Sequence, residues 1–223
     1  MRCIFNHKGV VMTTSTGTLK ALLDIALDLT TNLSAEDRYQ RVVERVGDVV
    51  ACDACALMRY EHGVLQPVAA IGLAPEILGM RFIPSDHPRL NAILHTRGPI
   101  RFRADDPRPD PFDGFVPNGL SGSMSIHSCM GCAMYVEDEL VGTLSVDAFR
   151  PGMFEEVDDS EFQTFAALAA AAMRTANLIG ALEQLAERRG RVAHELVTEA
   201  LTKSGGELLG ESEAIRILRQ ELK

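Results

Sequence analysis

The chain has 223 residues, 46% of them apolar and 24% charged, with a formal net charge of −9. This allows one large domain with a core of useful size, or one domain and an appendage, at the proportions of a soluble globular protein. The negative balance argues against a grip on nucleic-acid phosphates, and the lack of tryptophan argues against a base-stacking platform.

Residues 1–17 carry no period and are expected to form a disordered extension, within which Met12 could equally be the start. No cationic segment followed by an apolar one marks a secretory signal. From Thr18 to Leu33, the residues Leu19, Leu22, Leu23, Ala26 and Leu27 recur near helical spacing. Ser34 has the chemistry of an N-cap, with Glu36 and Asp37 in the first turn of a helix that buries Tyr39, Val42, Val43, Val46, Val49 and Val50. The period then shortens to two. Ala54 to Tyr60 and Val64 to Ile71 are expected strands joined by E-H-G. Gly72 to Gly79 is a loop or a short helix. In D-H-P-R-L-N-A-I-L-H-T, Asp86 is expected to cap a short helix reaching Thr96, with Pro88 in its first turn. Pro99 to Phe102 is a short strand.

The next stretch, D-D-P-R-P-D-P-F-D-G-F at 105–115, holds three prolines, which exclude a helix interior and a central strand. A Gly/Ser stretch follows through Gly122. His127 to Val136 and Leu140 to Phe149 read as a hairpin across E-D-E. Asp158, Asp159 or Ser160 caps a long helix in which Phe165, Leu168, Ala172, Thr175, Ile179, Leu182 and Ala186 recur at three and four. That stripe is either a dimer seam or the core face of a helix whose end projects. Its most apolar run, around Phe165 to Met173, is too short to span a bilayer. Ser204-Gly205-Gly206 breaks the helix. Leu209 to Lys223 begins another amphipathic helix, as a piece of a longer protein would. The order gives an α+β fold: an antiparallel sheet with helices on one face, an irregular middle and a long C-terminal helix.

Five cysteines are present, four of them in C-D-A-C at 52–55 and C-M-G-C at 129–132. In a strand, residues three apart point to opposite faces, so neither pair suits zinc, and Cys52, Cys55 and Cys132 are expected as small buried hydrophobes. In the cytoplasm, the expected location, they would be reduced. Period two pairs other residues. His127 and Cys129 share one face, as do Thr143, Ser145 and Asp147 on the neighbouring strand. Asp147 closes the apolar run L-V-G-T-L-S-V, and an inward carboxylate there is costly unless it is paired or ligated.

The ordered set H-P-R-L (87–90), P-D-P-F-D-G (109–114), H-S-C-M-G (127–131) and L-S-V-D (144–147), with D-R-Y-Q-R (37–41) and C-D-A-C-A-L-M-R-Y (52–60), resembles the N-terminal GAF sensor domain of the NorR-type nitric-oxide-responsive transcription activators. The likeness runs from about Leu19 to Leu185, and G-E-L-L-G-E-S-E-A-I-R-I-L-R-Q-E-L-K resembles the entry into the AAA+ ATPase domain of such activators. The resemblance implies a GAF sensor domain over 18–185, a linker helix over 186–206 and the start of an AAA+ domain over 207–223. It implies a mononuclear non-haem Fe(2+) that binds nitric oxide, with Arg89, Asp110, Asp113, Cys129 and Asp147 around it. Carboxylates suit a hard ferrous ion, and a thiolate donates charge that favours nitric oxide as a ligand. The prolines would hold Asp110 and Asp113 with less ordering entropy to lose.

A guanidinium has no free lone pair, so Arg89 belongs beside the ligands, bridging to Asp110 or Asp113, while His127 is the better nitrogen ligand. The family has an arginine six residues after the H-P-R-L arginine that helps hold the GAF domain against the ATPase domain. This chain has His95 there, with Arg97 two residues on, and either could take the role. The implied function is non-enzymatic: nitric oxide relieves repression of the ATPase domain in a protein that dimerises through the C-terminal helix, with no nucleic-acid or membrane partner for this stretch. The alternatives are a GAF-fold reductase of free methionine sulfoxide using Cys129, and a GAF dimerisation module that binds a small organic ligand.

Overall fold

A computed structural model describes residues 15–116, 126–203 and 216–217. It divides into two compact units, Met1–Asn177 and Leu178–Lys223. The expectations for residues 1–14, for the Gly/Ser stretch from 117 and for Ser204-Gly205-Gly206 lie outside the described residues, as does most of 207–223.

The first unit opens with two helices, α1 (Ser15–Asp28) and α2 (Ala35–Val49). Ser34 caps α2, its hydroxyl accepting from the Asp37 amide at 3.0 Å. α1 begins earlier and ends earlier than its leucines suggest. Its buried face is Thr18, Ala21 and Ile25, whereas Leu19, Leu23 and Leu27 are exposed. A helix apolar on two sides offers periodicity no single core face to choose. The buried Arg38 closes the turn after α1, donating to the carbonyls of Asp28, Thr31 and Leu33.

Strands β1 (Ala54–Glu61) and β2 (Val64–Ile71) form the expected hairpin, with His62 and Gly63 both at positive φ in the turn. Two 3-10 turns (Pro75–Gly79 and Pro84–Asp86) lead to α3 (Pro88–Leu94). The N-cap of α3 is His87, not Asp86, because Asp86 closes the preceding 3-10 turn. β3 (Pro99–Phe102), β4 (Ser128–Val136) and β5 (Glu139–Ala148) complete an antiparallel sheet of order β2-β1-β5-β4-β3. Asp158 caps α4 (Asp159–Lys203), its carboxylate accepting from the amides of Ser160 and Glu161.

The sheet separates two apolar layers. On one face Cys55, Leu57, Met130, Cys132, Leu144 and Val146 pack against α1, α2 and the first half of α4. On the other, Ala56, Met58, Phe102, Cys129 and Ala133 pack against α3, the 3-10 turns and Phe112 of the proline loop. The first half of the α4 stripe therefore faces the sheet: Phe165 and Ala172 are buried, and Ile179 and Leu182 are exposed. One window of α4 is long and apolar enough to cross a membrane by composition alone. About 33% of it is buried, in the core packing from Phe162 to Ala176. In the second unit, Leu178, Leu182, Leu185, Val192 and Leu196 are exposed along the helix.

Gly142 sits where β5 crosses β1, and a Cβ there would meet the Met58 carbonyl oxygen at 2.0 Å. Gly142→Ala is expected to cost about 2–3 kcal/mol, read by chemical denaturation, since backbone on the neighbouring strand cannot yield as a side chain can.

Candidate metal centre

Antiparallel pairing sets Cys129 of β4 directly opposite Asp147 of β5. Alternation turns both toward the layer that contains the proline loop. Asp147 is 1% exposed, and neither carboxylate oxygen has a hydrogen-bond partner among the described residues. The Cys129 thiol lies against it without a hydrogen bond of normal geometry. Thr143 and Ser145, also inward on β5, have unpartnered hydroxyls.

The proline loop delivers the third group. Asp110 accepts from its own Phe112 amide at 2.9 Å and from Arg89 Nη1 at 2.7 Å. The Asp110 side chain is fully enclosed and that of Arg89 is 5% exposed. Arg89 Nε donates to the Arg108 carbonyl at 2.8 Å, so one guanidinium fixes the loop at two points. The Phe102 ring lies under two cations, with Arg89 5.5 Å and Arg108 4.7 Å from its centre. Phe102 pairs with Cys129 across the ladder, which makes β3 a third wall of the site.

Donor atoms of Asp110, Cys129 and Asp147 lie within 4.8 Å of one another, all from buried residues. Without a cation the environment is hostile to their charges. Burial, and then the Asp110 charge, push Asp147 well above the usual carboxylate range. Burial and the charge of Asp147 push the Cys129 thiol up. Burial also raises Asp110, to about 6, against the Phe112 amide and Arg89, which hold it down. Of the two carboxyls Asp110 is raised less, and it is the one paired with Arg89. A divalent cation would reverse the balance for Asp147 and Cys129, giving the orphaned oxygens a partner and the thiolate a counter-charge. Two carboxylates and one thiolate at this separation fit a mid-series divalent metal.

The other expected site residues lie apart from these three. Asp113 is exposed and accepts from the Ile126 amide at 3.0 Å. His127 is exposed as well. It lies just before β4, its amide donating to the Ala148 carbonyl at 3.0 Å, and its side chain is not on the buried face of Cys129. His95 and Arg97 are exposed at the end of α3, His95 within 2.8 Å of the Asn91 carbonyl and Arg97 over the Tyr135 ring. Cys55 and Cys132 lie in the helix-facing layer and Cys129 in the other, so no four-cysteine cluster forms among the described residues. Phe102, Phe112 and Arg108 also belong to the site, although the sequence motifs do not single them out. The alternation in P-I-R-F would have turned Phe102 inward.

This layout is an α+β module whose sheet lies between a helical layer and an irregular one, and the GAF domain family matches residues 34–174. The chain belongs to that family. It is 38% identical, over 92% of its length, to the anaerobic nitric oxide reductase transcription regulator NorR of Salmonella arizonae. It spans about 39% of that relative's length. The fold matches the GAF domain of a phosphoenolpyruvate-protein phosphotransferase from Coxiella burnetii, with TM-score 0.61 and 24% identity over 75% of this chain and 99% of that one. It also matches a free methionine-R-sulfoxide reductase from Neisseria meningitidis, with TM-score 0.58 and 12% identity over 79% and 98%. Fold alone therefore does not choose between sensor and enzyme.

Proposed function

We propose that this chain is the non-enzymatic sensor portion of a cytoplasmic transcription activator, binding nitric oxide at a single non-haem ferrous ion. Asp110, Cys129 and Asp147 would hold the ion, and a ferrous ion with an open position takes nitric oxide as a ligand. The observation that carries the reading is the pair of partnerless Asp147 oxygens, buried beside Cys129 and Asp110. Arg89 keeps Asp110 ionised and aimed. Phe102 and Phe112 keep water away, which strengthens each electrostatic contact inside. Asp113, fixed on the Ile126 amide, adds negative charge nearby rather than a ligand atom.

The same reading assigns residues 18–185 to the sensor, 186–206 to a linker helix and 207–223 to the start of an ATPase domain. Without the gas, the sensor represses that domain, with His95 and Arg97 on the exposed contact face. The gas can shift this balance only by its differential affinity for the two states. A homodimer through the C-terminal helix belongs to the same picture, supported by the exposed stripe Leu178, Leu182, Leu185, Val192 and Leu196.

The methionine sulfoxide alternative needs a second thiol to resolve Cys129, and Cys132 lies on the far side of the sheet. Electron paramagnetic resonance on anaerobic, iron-loaded protein is the test. A high-spin signal that grows with added nitric oxide is expected, and its absence would remove the sensor reading. Cys129→Ser should lower iron affinity by at least about a hundredfold, beyond the 10–100-fold typical of an outer-shell change. Cys132→Ser should leave affinity within about twofold, because its thiol only packs.

A further inference from the structure

β3 has two working faces. Phe102 looks into the metal centre, against Arg89 and opposite Cys129. Its neighbour Arg101 must point the other way, and there it commits its guanidinium to one short segment. Nε donates to the Phe154 carbonyl at 2.7 Å, Nη2 to the Val157 carbonyl at 2.5 Å, and Nη1 pairs with the Asp159 carboxylate at 2.6 Å. Those three partners span the turn from β5 into the first residue of α4. Phe154 is buried in the layer beneath the helices, so the turn is anchored to the core as well as to Arg101. A cleft of about 910 Å³ lies between β3 and this segment, lined by Arg101, Phe102, Cys129, Phe154, Val157 and Asp159.

We infer that Arg101 is a positioning residue that transmits the state of the metal centre to α4, the helix that leaves the sensor. The inference rests on the proposed function, since it needs a signal to transmit. The contacts run from Asp110 to Arg89, from Arg89 to Phe102, one residue along β3 to Arg101, and from Arg101 to the start of α4. A change in the charge balance at Asp110 alters the pull on Arg89 and so on β3. A rigid fork bonded at three points carries that displacement to α4, where a single flexible contact would absorb it.

Hydrogen exchange over residues 152–165 is followed in the iron-loaded protein with and without nitric oxide, alongside its paramagnetic signal. In the wild type, exchange in this segment is expected to change by about fivefold or more, the low end of typical coupling. Arg101→Gln should keep both iron and the nitric-oxide signal, and lose that change. Arg101→Lys keeps the charge on Asp159 without the fork and should retain only part of it. It serves as the deciding variant if Arg101→Gln does not fold. A wild type that gives the signal with no change at 152–165, or a folded variant that keeps the full change, would overturn the inference. A wild type with no signal at all would instead remove the proposed function.

Discussion

Asp147→Asn protein is expected to lose its iron, with an affinity at least about a hundredfold lower, while folding as well as the metal-free wild type. The carboxylate has no protein partner to lose, so its replacement breaks no hydrogen bond among the described residues. It also carries a pH signature. A raised carboxylate retains, in the folded state, a proton that the unfolded chain releases. Metal-free protein should therefore lose stability as pH climbs from about 4, the ordinary carboxylate value, toward the raised folded value, by up to about 1.4 kcal/mol per pH unit and group. Asp147, raised well above the usual range by burial and by the charge of Asp110, contributes over a wider span than Asp110, which contributes only up to about 6. Denaturation at several pH values in the presence of a chelator reads this. Asp147→Asn should make the profile nearly level above pH 6. An unchanged slope in the variant would show that Asp147 is not the group responsible.

Arg89→Leu is expected to be the most destabilising single change at the site, by about 3–5 kcal/mol at neutral pH, because it leaves a buried carboxylate without its counter-charge. Asp110 cannot turn to water, its side chain being fully enclosed, and the Arg108 carbonyl loses its donor at the same stroke. Lysine would not substitute, since its single nitrogen lacks the fixed spacing of Nε and Nη1 that reaches both acceptors. The cost should shrink toward pH 5, where Asp110 takes up a proton. Chemical denaturation of the two proteins at pH 5 and 7.5 compares them. Equal losses at both pH values would mean that packing on Phe102 dominates over charge.

Much of this centre was legible in the chain. Period two in L-V-G-T-L-S-V-D and in C-M-G-C fixes the faces of Asp147 and Cys129 and separates Cys129 from Cys132. Antiparallel pairing then puts Cys129 opposite Asp147. The lone-pair argument sets Arg89 beside Asp110 or Asp113 rather than on a metal, and it is Asp110 that it pairs with, at 2.7 Å. Asp113 could not be placed the same way. A turn spaces residues by its own geometry, and one loop turns Asp110 inward and leaves Asp113 in water. His127 lies just before β4, its amide donating to the Ala148 carbonyl at 3.0 Å, and its side chain is exposed rather than turned inward with Cys129. The leucines of α1 misled because apolar residues on both sides of a helix leave its orientation to tertiary packing. Arg101 carried no sequence signal, since its three partners lie more than fifty residues away and two are backbone carbonyls that any residue would supply.

Asp110, Cys129 and Asp147 are expected to bind one metal ion together. Titration of the anaerobic, metal-free protein with cobalt(II), a coloured stand-in for iron(II), tests it most directly. The expected result is a thiolate-to-metal absorption band that saturates at one equivalent, survives in Cys132→Ser, and is absent in both Cys129→Ser and Asp147→Asn. No band in the wild type, or a band that persists in Cys129→Ser, would contradict it.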